Sequence, residues 1–212
     1  MNKQNAKKII DILKSTYPDA TCSLDFTTPF EMVVAVMLSA QCTDERVNKT
    51  TPILFKRCKT ISDYVDIDIN ELEDIIHPCG FFKNKAKNIK LCAKQILDNF
   101  NGIVPNNMED LLTLAGVGRK SANVILLEVY GIANGIAVDT HAKRISNLIG
   151  FSNQKEPEKI EQDLIKVIPK EYLKYVNHLF VWHGRNTCIA RKPNCEGCTV
   201  KNFCRFYLKS KE

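Results

Sequence analysis

The groups of this sequence whose types and spacing could do chemistry are a lysine after a glycine turn, a carboxylate opening a helix, and four crowded cysteines. Leu114-Ala115-Gly116-Val117-Gly118-Arg119-Lys120 lies at the junction of two apolar periodic segments. Two glycines around one aliphatic residue let the backbone turn tightly and leave its amides uncovered, which suits a phosphate. Lys120 then falls on the first turn of the next helix. The same turn also serves as a plain helix connector with a solvated Arg-Lys pair, so its neighbours decide. Downstream, Ile136-Ala137-Val138-Asp139-Thr140-His141 is a short apolar approach ending in a carboxylate able to cap the helix through Ile149.

Cys188, Cys195, Cys198 and Cys204 crowd into the last 25 residues, with six, two and five residues between successive members. Four soft thiolates suit either tetrahedral zinc or a cubane iron-sulfur cluster. Zinc sites commonly use two C-x2-C knuckles and this chain has one, so the spacing favours a 4Fe-4S cluster while leaving zinc open. Ligation at Cys188 and Cys195 would pin the loop between them and present Arg191 and Lys192 to solvent, a geometry suited to gripping phosphate. The other five cysteines, Cys22, Cys42, Cys58, Cys79 and Cys92, sit in apolar surroundings and read as buried free thiols.

The elements that must position these groups are helical throughout. Ile9, Ile10 and Leu13 give residues 5–16 an apolar stripe, and Thr28-Pro29-Phe30-Glu31 is a capping box with proline at the first helical position. The helix that follows, through Leu38, is nearly all apolar. Another begins near Asp44, with Pro52 expected to kink it or limit its start. Pro78-Cys79-Gly80 is a stop, and Phe81-Phe82 follows as two aromatics between helices: a hydrophobic staple, or a wedge for something outside the protein. Ala86, Ile89, Cys92, Ala93 and Ile96 define a long helix, with Lys83, Lys85, Lys87, Lys90 and Lys94 largely on its other faces. Asn106 and Glu109 can cap the helix before the glycine turn, and Tyr130-Gly131 ends the one after it. Strand alternation, repeats and low-complexity tracts are missing, so the fold class is all-α.

Composition narrows the partners. Hydrophobic residues at 44% and charged residues at 25% describe a globular protein rather than a disordered one. No apolar run approaches the roughly 18 residues of a membrane span, and the N-terminus lacks an apolar signal core, so the sequence predicts a cytoplasmic protein without a membrane partner. A formal charge of +6 suits a polyanion, though a solvated basic surface would look the same.

The hairpin, the Val138-Asp139-Thr140-His141 segment and the terminal cysteines, in that order, resemble the endonuclease III family of DNA glycosylases. The likeness extends to Pro29-Phe30-Glu31, Leu38-Ser39-Ala40-Gln41, residues 80–86 and His183-Gly184-Arg185, nearly the whole chain. The resemblance implies a two-lobed helix-hairpin-helix fold with a C-terminal 4Fe-4S loop. One lobe would be residues 22–133, ending in the hairpin, and the other residues 1–21 joined to 134–212. It implies base-excision repair of double-stranded DNA by a monomer associated with the nucleoid, removing oxidised pyrimidines and cleaving abasic sites. Lys120 matches the family's nucleophile and Asp139 its essential carboxylate. Gly116, Gly118 and Arg119 match its phosphate grip, Gln41 and Phe81 the residues filling the space left by a flipped nucleotide, and Asp44 and His141 border the presumed pocket. Phe81 departs from a common leucine and Ala115 from a common proline.

The adenine-mismatch branch of the superfamily also carries a cluster, but it generally lacks the lysine and places a glutamate where this chain has Val33 to Leu38, free of carboxylates. This chain also stops soon after Cys204, short of that branch's extra domain. A non-catalytic DNA-binding iron-sulfur protein is another alternative; it would bind duplex with steep salt dependence and leave abasic DNA intact. Lys120 separates these readings.

Overall fold

The capping box forms as the sequence predicts: Thr28 Oγ1 accepts from the Glu31 N–H at 3.2 Å while Glu31 Oε2 accepts from the Thr28 N–H at 3.0 Å. The computed structural model describes residues 1–211, and every regular element among them is helical. In chain order these are α1 (Lys3–Thr16), α2 (Pro29–Ser39), α3 (Asp44–Arg57), α4 (Ile61–Asp66), α5 (Ile69–Ile76) and α6 (Phe82–Phe100). They continue with α7 (Met108–Thr113), α8 (Arg119–Tyr130), α9 (Thr140–Ile149), α10 (Pro157–Val167), α11 (Leu173–Asn186) and α12 (Arg205–Lys209). None is long and apolar enough to cross a membrane.

The chain divides into two compact units, Ser23–Gly131 and the discontinuous pair Met1–Cys22 with Ile132–Glu212. In the continuous unit α2 is the central post, with Phe30 and every residue from Met32 to Leu38 buried. Around it pack α3, α6 and α8, while α4 and α5 lie on α6 and α7 on α8. In the discontinuous unit α11 packs on α1 and α9, and α9 meets α10 and α12. Its core joins Ile9, Ile10 and Leu13 to Ile145, Leu164, Val176 and Phe180.

Several local expectations shift. The α3 helix starts eight residues before Pro52 and continues past it, so the proline limits neither end. Burial of Val47, Thr50, Thr51 and Leu54 holds the helix through the turn whose backbone bond proline removes. The cap of α7 is Asn107 rather than Asn106, accepting from the Asp110 N–H at 2.9 Å. Phe81 is no staple: it is 63% exposed, and Phe82 instead packs on His77 with ring centroids 4.5 Å apart. Cys58, Cys79 and Cys92 are buried free thiols, but Cys22 and Cys42 are only half-buried because each lies in a connecting segment.

Candidate active site and cysteine loop

The glycine turn between α7 and α8 is built as a donor surface. Ala115 N–H is committed to Gln95 Oε1 at 2.7 Å and Val117 N–H to Leu114 O at 3.1 Å. Gly116 and Gly118 are exposed, and neither amide has a protein acceptor among the described residues, which leaves both available to an anion. Gln95 holds the turn with both ends of its amide, since its Nε2 donates to Thr113 O at 3.1 Å. No local motif announced Gln95, which lies on α6, 20 residues earlier. Lys120, the second residue of α8, is exposed, and Arg119 before it is half-buried.

The two glycines do different work. Gly116 has φ +76°, and an added Cβ would lie 2.5 Å from Met37 Cε and 3.0 Å from Asn88 Cβ, so the turn is wedged against α2 and α6. Gly118 has open space around it. Gly116→Ala is therefore expected to destabilise the protein by about 1–3 kcal/mol. Gly118→Ala should stay within about 0.5 kcal/mol of wild type yet weaken duplex binding, because its methyl stands where a phosphate would approach. Urea unfolding and a binding titration on both variants check the pair.

Gln41 and Phe81 occupy the turns that follow α2 and precede α6, in the same unit as the hairpin. Both are exposed, and both have left-handed backbone, with φ 53° and 48°. Asp44 opens α3, half-buried, and its Oδ2 accepts from Ser23 Oγ at 2.6 Å.

In the discontinuous unit Asp139 is the N-cap of α9, half-buried, with Oδ1 accepting from the Ala142 N–H at 2.7 Å. His141 follows on the first turn, its pKa lowered by burial, which the Asp139 carboxylate partly opposes and Arg144 reinforces. Its Nδ1 meets Arg144 Nη2 at 3.2 Å; a guanidinium can only donate, so the hydrogen of the neutral ring belongs on Nε2. Arg144 Nη2 also donates to Gly184 O at 3.1 Å and Cys188 O at 2.8 Å, tying the start of α9 to the start of the cysteine loop. A Cβ on Gly184 would lie 2.5 Å from His141 Nδ1, so only glycine lets α11 approach this closely.

The four loop cysteines are free, half-buried, and line one open pocket together with Leu148, Ile149 and Pro193. Burial raises the thiol pKa of Cys188 and of Cys198, and Arg144 offsets part of the shift at Cys188. Ionisation here therefore calls for positive charge inside the cavity. No three potential ligands among the described residues converge on one ion. Four soft thiols lining one pocket are a donor set that suits an iron-sulfur cluster or zinc. The loop closes at its base through the Asn194 N–H donating to Thr187 O at 2.9 Å, and Arg191 and Lys192 are exposed along it.

Comparison with known proteins places this architecture. Residues 34–170 match the model of the HhH-GPD superfamily base excision DNA repair proteins. The chain is 49% identical over 202 residues to endonuclease III of Synechocystis sp., covering 95% of this chain and 92% of that one. Endonuclease III of Haemophilus influenzae is 42% identical over 209 residues, 99% of both chains. A solved structure of a trapped endonuclease III–DNA covalent intermediate, in an estranged-adenine complex, superimposes with TM-score 0.93 at 39% identity, covering all of both chains. With a helix-hairpin-helix fold shared along its full length, the chain belongs to the endonuclease III family of base-excision DNA repair proteins.

Proposed function

We propose that this chain, acting as a monomer on the chromosome in the cytoplasm, removes oxidised pyrimidines from double-stranded DNA and cleaves the abasic site it leaves. The observation that carries this reading is an exposed Lys120 two residues beyond a turn whose glycine amides are open to a phosphate. The related endonuclease III trapped as a covalent DNA intermediate supports the same chemistry here.

The residues divide the reaction as follows. Gly116 and Gly118 hold a backbone phosphate beside the extruded nucleotide, while Gln41 and Phe81 occupy the space it leaves. Neutral Lys120 Nζ attacks C1′; the glycosidic bond breaks and the base leaves with the electron pair and a proton. Asp139 stabilises positive charge developing on the sugar and assists the proton transfer that frees the amine. Opening of the sugar gives a Schiff base on Lys120. Loss of a C2′ proton then pushes electrons toward the imine and expels the 3′ phosphate. Because Lys120 is exposed, the bound nucleotide rather than protein packing must exclude water from its amine.

Cys188, Cys195, Cys198 and Cys204 would hold a 4Fe-4S cluster, which supplies a cross-link fixing the loop that presents Arg191 and Lys192 to the duplex. The assignment is tested on a duplex bearing one thymine glycol, where free base and a β-elimination end should appear together. A protein that binds this duplex and leaves it intact would be the non-catalytic module instead. Asp139→Asn should keep the α9 cap, since asparagine caps as well as aspartate, and lower base release by about 10²-fold or more. Single-turnover base release with the melting temperature as control checks it.

A further inference from the structure

Lys85 belongs to the lysines that the sequence places largely off the apolar stripe of α6, yet it is 6% exposed. Its Nζ donates to Leu38 O and to Cys79 O, each at 2.9 Å. Leu38 lies in the last turn of α2, two residues from Ala40, whose non-helical backbone leads into Gln41. Cys79 ends the 3-10 turn two residues before Phe81. One ammonium therefore bridges the two turns assigned above to the duplex, and the Lys85 N–H also donates to Phe81 O at 3.1 Å.

The placement runs against local preference. A cation near the start of α6 faces the unfavourable end of that helix's dipole, and burying it sacrifices hydration. The carbonyls at the end of α2 offset this, since they carry the negative end of a helix dipole and have lost their in-helix partners. The backbone on either side shows what the bridge holds. Gln41 and Phe81 both have left-handed backbone, which neither residue type favours and which persists only where surrounding contacts enforce it.

We propose that Lys85 is a positioning residue that clamps the Gln41 turn to the Phe81 turn, so that both side chains enter a duplex as one rigid unit. The inference rests on the glycosylase reading above. It adds a residue that never touches DNA but sets the spacing between two that do.

The test uses a duplex with a non-reactive abasic analogue opposite 2-aminopurine, whose fluorescence rises when the orphan base is unstacked. At saturating protein, Lys85→Met should reduce the rise by about fivefold or more, Lys120→Ala should retain it, and Lys85→Arg should recover at least about half. Melting temperatures establish that each variant is folded. A folded Lys85→Met with a full response overturns the clamp. Should Lys85→Met not fold, Gln41→Ala and Phe81→Ala decide, singly and combined: a combined loss smaller than the product of the single losses supports one unit, and independent losses overturn it. If wild type neither unstacks 2-aminopurine nor cleaves reactive abasic DNA, the glycosylase reading itself has failed. If wild type does both while the variants behave independently, only the clamp has.

Discussion

Lys120→Ala is expected to abolish the covalent adduct that borohydride traps between the wild-type chain and abasic-site DNA, a loss of about 10³-fold or more. Duplex affinity should change by no more than a few-fold, because the proposed phosphate grip is backbone and Lys120 would contribute one of several cations. The variant should fold normally: Lys120 is exposed, and alanine is a good residue for the first turn of α8. Binding and trapping therefore separate, as positioning and reaction should when one group reacts and others hold. An unaltered adduct yield would move the nucleophile elsewhere, and an adduct missing from wild type with binding intact would remove lyase activity from this chain.

The second large effect concerns the cysteine loop. The purified chain is expected to be brown, with about four irons per molecule, and Cys198→Ser to be colourless. The variant should also lose several kcal/mol of stability in the discontinuous unit. The magnitude follows from the four metal–sulfur bonds that a bound cluster would add to the contacts of this segment. The segment's other anchors include the buried Val200, the bond from Asn194 N–H to Thr187 O, the Arg144 bond to Cys188 O at 2.8 Å, and Arg205, which donates to Asn153 Oδ1 at 2.6 Å and to Asn147 O at 2.7 Å. Visible absorbance, metal analysis and a thermal melt read the outcome together, and a colourless wild type with one zinc per chain would refute it.

Much of the framework was legible because its signals are local. The Thr28–Glu31 box, the Asp139 cap and the glycine turn each lie within a few residues, and local chemistry determines each. Lys85 shows where that logic ends. Helical periodicity puts it among its neighbours Lys83 and Lys87, which are exposed, whereas the carbonyl that draws it inward lies 47 residues away at Leu38. The acceptors of Lys90 are equally remote in sequence, for it donates to Val65 O at 2.6 Å and to Ile67 O. The left-handed backbone at Gln41 and Phe81 was equally hidden, because glycine or asparagine normally marks it and neither residue is there. Arg144 carries no motif of its own and becomes meaningful only when Gly184 and Cys188 fold against it.

The discontinuity of one unit has a consequence for synthesis on the ribosome. Ser23–Gly131 is contiguous, so the body carrying the hairpin can close once Gly131 has emerged. The first helix has no such opportunity. Ile9, Ile10 and Leu13 are made first but bury against segments reaching to Phe180, so that apolar stripe waits in water through most of translation. The four cysteines are made after α11 has begun, so the loop they form closes onto parts of the unit that are already synthesised.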